Sequence, residues 1–89
     1  MTTKTWTVQV NIDEDGDDTY ADAILTADNK TEIHGRGVSR RHPRDEAVPH
    51  IGDELASARA LSDLAHQLLS MAAGEIEDHT HTPVRALHL

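Results

Sequence analysis

Hydrophobic residues change their spacing abruptly near the middle of this chain. Before residue 40, apolar and polar residues alternate, which is typical of half-buried β-strands. After residue 50, apolar residues recur every three or four positions, which is the period of an amphipathic helix. Pro43 and Pro49 bracket the segment between them, and proline interrupts both helices and strand ladders. We therefore predict a sheet at 4–40, a connector at 41–49, a long helix at 50–74 and a C-terminal tail at 75–89.

The first half contains three alternating segments, at 4–12, 19–27 and 31–40. Acidic residues around Gly16 separate the first two, and 28–30 forms the second turn. Turns this short join neighbouring antiparallel strands. The predicted fold class is α+β: a three-stranded antiparallel meander packed against one long C-terminal helix, in the order β-β-β-α. A length of 89 residues fits a single domain, 1–89.

Composition narrows the classes of function. The formal net charge of −8 disfavours a protein that coats phosphate backbones, so we expect no nucleic-acid partner. The chain has no cysteine, which excludes disulfides and thiolate metal sites. No apolar run is long enough to span a membrane, and the N-terminus carries no signal pattern. We expect a cytoplasmic protein with no membrane association.

The predicted helix is apolar around more than half of its circumference. Its main apolar face, which we expect to pack on the sheet, consists of Ile51, Leu55, Ala58, Leu61, Ala65, Leu69 and Ala72. A second apolar seam lies beside that face and consists of Ala60, Leu64, Leu68 and Met71. One sheet face cannot cover both, so either the tail or another subunit covers the seam. We predict a homo-oligomer, with a dimer favoured, that associates through this seam.

Small residues are expected where the helix meets the sheet. Gly35 and Gly37 in the third strand, opposite Ala58, Ser62 and Ala65 of the helix, would permit close backbone approach. A phosphate-binding role for these glycines is disfavoured because phosphate loops precede a helix N-terminus.

Four arginines fall within a short stretch: Arg36, Arg40, Arg41 and Arg44. They could form a patch for an anion or a partner, because a guanidinium binds phosphate or carboxylate through two parallel hydrogen bonds. They could equally balance the acid-rich remainder of the chain, and this second interpretation is favoured.

No arrangement of residues predicts catalysis. The chain lacks a nucleophile elbow and an H-E-x-x-H sequence, and its carboxylates fall in turns and helix ends. The acidic run at 13–18 lacks the glycine and glutamate positions of a calcium loop. The closely spaced His79 and His81 fit no recognised metal site. We predict no catalytic residue, no cofactor and no metal, and therefore a protein that is not an enzyme.

The segment 51–65, together with Gly35 and Gly37 before it and 80–84 after it, resembles a family of small uncharacterised actinobacterial proteins with a mycobacterial member. The resemblance covers about residues 4–88. It implies a variant of the double-stranded-RNA-binding-domain fold, but no assigned activity. RNA-binding members of that fold carry lysines at the start of the last helix, where this chain has Asp53 and Glu54.

The predicted function is that of a small non-enzymatic interaction or regulatory domain that self-associates, with a further protein partner left open. The alternatives are weak nucleic-acid binding through residues 36–44 and a small-molecule or ion sensor with a pocket between helix and sheet.

Overall fold

A computed structural model of the chain describes residues 1–27, 31–42 and 48–81. It contains three strands in one antiparallel sheet, followed by one helix. The elements are β1 (Val8–Asp15), β2 (Asp18–Thr26), β3 (Glu32–Arg40) and α1 (Pro49–Thr80). The predicted α+β class and the order β-β-β-α are confirmed. The second predicted turn at 28–30, residues 43–47 of the connector and residues 82–89 of the tail lie outside the described residues.

The turn of the first hairpin is shorter than the acidic run around Gly16 led us to predict. Asp15 pairs with Asp18, so only Gly16 and Asp17 form the turn. Gly16 adopts a φ of 61°, a left-handed conformation that glycine accepts without a Cβ clash. The acidic residues before it therefore remain in β1, which begins at Val8 rather than Lys4 and ends at Asp15.

Buried and exposed residues alternate along β2 and β3, and the buried ones lie on the face of the sheet that packs against the helix. On β2 the buried residues on this face are Thr19, Ala21, Ala23 and Leu25, and on β3 they are Ile33, Gly35, Gly37 and Ser39. Val8, Val10 and Ile12 of β1 pair with Leu25, Ala23 and Ala21 and so lie on the same face. Within residues 1–27, 31–42 and 48–81, no helix lies over the opposite face of the sheet.

The helix packs over β2 and β3 through very close backbone contact. A Cβ built on Gly35 would lie 2.3 Å from the carbonyl oxygen of Ala60, and one built on Gly37 would lie 2.2 Å from that of Ala56. The predicted contact of small residues is thus present. Its helical partners differ from the prediction, because Ala56, Ala60 and Leu64 face the sheet instead of Ala58, Ser62 and Ala65.

The main apolar face was assigned to the wrong side of the helix. Ile51, Leu55 and Leu61 are 49%, 44% and 44% exposed, whereas Ala56 and Ala60 are fully buried. Glycine and alanine have the smallest side chains, so they leave the surface of the sheet flat where the helix crosses it. The row of alanines on the helix can therefore approach the sheet most closely. Larger side chains in that row would hold the helix away from the sheet.

The helix continues past its predicted end at Gly74. It runs to Thr80 and ends where His81 adopts a left-handed φ of 58°, with the His81 N–H donating to the Glu77 carbonyl at 2.7 Å. Gly74 is therefore an interior helical residue rather than a C-cap. A lone glycine costs a helix only about 1 kcal/mol, which is too little to end one.

Candidate interaction surface

The outer edge of β3 is closed by side chains from the helix. Three backbone groups at the edge of this strand form hydrogen bonds with side chains of α1. These side chains are spaced four residues apart on the helix. The contacts are Arg59 Nη1 to the Val38 carbonyl (2.7 Å), the Arg36 N–H to Asp63 Oδ2 (2.8 Å), and Gln67 Nε2 to the His34 carbonyl (2.6 Å).

This pattern follows from matched spacings. Four residues of helix rise about 6 Å, and two residues of strand span about 6.6 Å. An antiparallel helix can therefore place every fourth side chain at every second backbone group of β3. These three residues were not predicted as contacts of β3, although their regular spacing of four along the helix was the available signal in the sequence.

The predicted self-association seam is largely part of the intramolecular core. Ala60 and Leu64 are 0% and 3% exposed because they lie directly over Gly35 of the sheet. Leu68 is half-buried and packs against the same cluster. Only Met71 of the seam is exposed, at 41%. A second subunit cannot reach Ala60 and Leu64, so the prediction of an interface is wrong for these two residues. For Leu68 and Met71 it stays a prediction.

Two regions of the surface carry neighbouring exposed apolar side chains, and Tyr20, Met71 and Ile76 are exposed outside them. One is the β1 strip, which we define as Val8, Val10 and Ile12, on the helix-side face of the sheet but beside the two strands that the helix covers. Val8 and Ile12 are 39% and 42% exposed, and Val10 is half-buried against the core. The single tryptophan, Trp6, precedes the strip and is 51% exposed.

The second region is the outer ridge of the helix, which we define as Ile51 and Leu55. Helical winding turns these residues away from the sheet-facing Ala56 and Ala60. Leu61 lies between the two regions, on the helix flank next to β1, because Arg59 faces the β3 edge and Ala60 faces the sheet. Contiguous exposed apolar patches mark surfaces that bind other macromolecules, so each of the two regions is a candidate interaction surface.

Two of the four clustered arginines face acidic residues of the first hairpin. Arg40 Nε lies 3.7 Å from Asp18 Oδ2, and the Arg41 guanidinium hydrogen-bonds Asp17. The Arg41 N–H also donates to the Asp17 carbonyl at 2.9 Å. This arrangement favours the charge-balancing interpretation of the cluster.

The other two arginines of that cluster do not extend the patch in the described structure. The Arg36 side chain is exposed on the open face of the sheet, in register with Asp22 of β2. Arg44 lies outside the described residues.

His34 forms a polar cluster on the open face of the sheet that sequence analysis did not identify. Its Nδ1 lies 2.9 Å from Asp22 Oδ2, and its Nε2 lies 3.2 Å from Glu32 Oε2. The hydrogen bond to Asp22, and then the one to Glu32, raise the pKa of His34 above its ordinary value of 6.5. Arg36, opposite Asp22, is the neighbouring cation on this face.

We expect the contribution of His34 to stability to be greatest at acidic pH. A raised pKa means that the folded chain holds the proton more tightly, so the stabilisation is complete below pH 6.5 and is lost as pH rises through the folded-state pKa. The difference in Tm between the unmodified chain and His34→Gln should therefore be larger near pH ~5.5 than near pH ~8.5. A difference that is constant or grows with pH would contradict this. Added salt should reduce it, because the cluster is partly exposed.

The sensor alternative requires a pocket between the helix and the sheet. At the glycine contact there is no room for one, because the backbones of β3 and α1 touch there. An open hollow occurs instead on the helix surface, lined by His66, Gln67, Ser70 and Met71. Among the described residues, no group of three metal-ligating side chains could hold an ion. Within the same residues, no helix is long and apolar enough to cross a membrane.

Comparison with known proteins places the chain in a family. Residues 4–85 match the family described as Rv2632c-like. The chain belongs to the Rv2632c-like family. The uncharacterized protein Rv2632c of Mycobacterium tuberculosis is 47% identical over 85 residues, which cover 96% of this chain and 90% of the relative. The uncharacterized protein Mb1767 of Mycobacterium bovis is 47% identical over 83 residues, which cover 93% of this chain and 87% of the relative.

A solved structure supports the same assignment. The crystal structure of Rv2632c superposes with a TM-score of 0.85 and 44% identity, covering 93% of this chain and 98% of that chain. The predicted resemblance to mycobacterial proteins is confirmed, as is the arrangement of three strands and one long helix. These relatives are described as uncharacterized, so the Rv2632c-like family supplies no residue roles.

Proposed function

We propose that this member of the Rv2632c-like family is a small non-enzymatic domain that acts through protein–protein contact and self-associates, most simply as a dimer. The observation that carries this proposal is the uncovered apolar face of β1, where Val8 and Ile12 stay exposed because α1 lies over the other two strands. A two-fold dimer buries the same patch on both copies, which makes it the simplest cover for such a surface.

The cytoplasm is the proposed location, because a chain without cysteine needs no oxidising compartment. The relation to the double-stranded-RNA-binding-domain fold stays a prediction that the family resemblance implies. We do not extend it to RNA binding, since Arg40 and Arg41 face Asp18 and Asp17 and the chain carries a net charge of −8.

Self-association should make thermal stability depend on protein concentration. When a folded dimer unfolds to two separate chains, mass action raises Tm as concentration rises. We therefore expect Tm to increase steadily through a series of tenfold concentration steps, with the same trend by circular dichroism and by Trp6 fluorescence. A Tm that is independent of concentration would contradict self-association coupled to folding.

A further inference from the structure

We propose that two copies of this chain pair antiparallel through the free edge of β1, joining two three-stranded sheets into one continuous sheet with both helices on the same face. This inference rests on the proposed self-association. It adds the surface, the hydrogen bonds and the register through which a second copy binds.

The backbone groups of β1 that face outward can be assigned from the opposite side of the sheet. The edge-facing groups of β3 belong to His34, Arg36 and Val38, since these bond the helix. In an antiparallel sheet, both groups of a residue point to the same side, and the side alternates along the strand. We apply this alternation through the two observed strand registers. The backbone N–H and C=O groups of the odd-numbered β1 residues then point toward β2. Those of the even-numbered residues, which include the β1 strip, point outward from the edge of the sheet.

The two edges of the sheet are treated differently. Helix side chains occupy the edge of β3, whereas α1 lies away from β1 and makes few contacts with it. An open strand edge beside exposed apolar side chains is a template for pairing with another strand. β1 is the edge that has both features among the described residues.

The β1 strip pairs completely with a second β1 strip in one register. Residues whose backbone groups point outward must oppose residues of the same kind in the second copy. Placing Val10 opposite Val10 of the second copy also sets Val8 opposite Ile12. Opposed residues of an antiparallel pair share a face, so all six side chains of the two β1 strips meet on the helix side of the sheet.

The distribution of charge is compatible with the same register and excludes those centred on the acidic end of β1. With Val10 at the two-fold axis, the acidic end of β1 lies opposite the residues that precede Val8: Asp13 opposite Thr7, Glu14 opposite Trp6, and Asp15 opposite Thr5. Registers with the two-fold axis at Asp13 or nearer the hairpin turn set these acids against one another, which is unfavourable for directly opposed residues.

Amide hydrogen exchange tests the assignment directly on the unmodified chain. At a concentration where light scattering gives the mass of a dimer, we expect the N–H groups of Val10 and Ile12 to be protected, as those of Asn11 and Asp13 are by β2. Free exchange at Val10 and Ile12 in that dimer would overturn the edge pairing and leave self-association standing. A chain that is monomeric at every concentration would overturn both.

Charged variants of the β1 strip provide a second test. Val8→Lys combined with Ile12→Lys opposes like charges across the proposed interface, and we expect the dimer Kd to rise more than about tenfold. In the variant that combines Val8→Lys with Ile12→Glu, the lysine of each copy lies opposite the glutamate of the other copy. Association should therefore recover. Both positions are exposed, so each variant should retain the circular dichroism of the unmodified chain.

The matched control is Ile51→Lys combined with Leu55→Lys on the outer ridge of the helix, at positions that are also exposed. It adds the same charge as the like-charge β1 variant and should leave the Kd unchanged. A control that dissociates the dimer while the like-charge β1 variant does not would assign the interface to the helix and overturn the inference. Failure of the unlike-charge variant to recover association would overturn the proposed register.

Discussion

Gly35→Ala is expected to lower Tm by roughly 10–20 °C, the shift that about 2–3 kcal/mol of destabilisation gives in a domain of this size. The added Cβ would lie 2.3 Å from the Ala60 carbonyl oxygen and 2.5 Å from the Leu64 nitrogen. Both neighbours are helix backbone, so no side chain can rotate away. The helix must lift from β3, and the hydrogen bonds that close the strand edge lengthen with it. Thermal unfolding at fixed protein concentration measures the loss.

Gly74→Ala is the matched control for this substitution. Gly74 lies within α1, and a Cβ built there has nothing within 4 Å. Alanine should therefore stabilise the helix by about 0.5–1 kcal/mol through its better helix propensity. Equal effects of the two substitutions would contradict the close approach of α1 to β3.

Leu64→Asp is expected to abolish folding. Leu64 is 3% exposed and lies over Gly35, so the substitution places a carboxylate in the core without a cationic partner. The milder Leu64→Ala should cost about 2–5 kcal/mol, as for other buried leucines. Far-UV circular dichroism and urea unfolding distinguish the two variants.

Leu55→Asp provides the comparison on the same helix, because Leu55 is 44% exposed. It should leave the chain folded, with a change in the free energy of unfolding of about 0.5 kcal/mol or less. A folded Leu64→Asp chain with reduced mass would restore the original interpretation of Leu64 as part of an intermolecular seam.

The sequence was sufficient to predict the architecture but not the orientation of the helix. Alternation in the first half and the 3.6-residue period in the second predict the strands and the helix, because both patterns follow from backbone geometry. The orientation of α1 depends on how closely its alanine row can approach Gly35 and Gly37. It also depends on side chains that bond the β3 edge, and those contacts are absent until the tertiary structure forms.

The same limit explains the outcome for the candidate surface. Ala60 and Leu64 were predicted to lie at an interface because the bulkier Ile51 and Leu55 looked like the better core residues. Burial depends on shape as well as hydrophobicity, and a sheet lined by glycine accepts the smaller row. The expectation of an apolar surface beyond the core survives this correction, but its position changes to β1 and the outer ridge.

The solution mass of the unmodified chain, followed by light scattering through a dilution series, tests self-association most directly. The chain has a mass of 9.8 kDa, and we predict a value near twice that at high concentration which falls toward 9.8 kDa on dilution. Moderate salt should favour the larger species, because screening weakens repulsion between two copies that each carry a charge of −8. A mass of 9.8 kDa at every concentration and salt level would contradict the proposal.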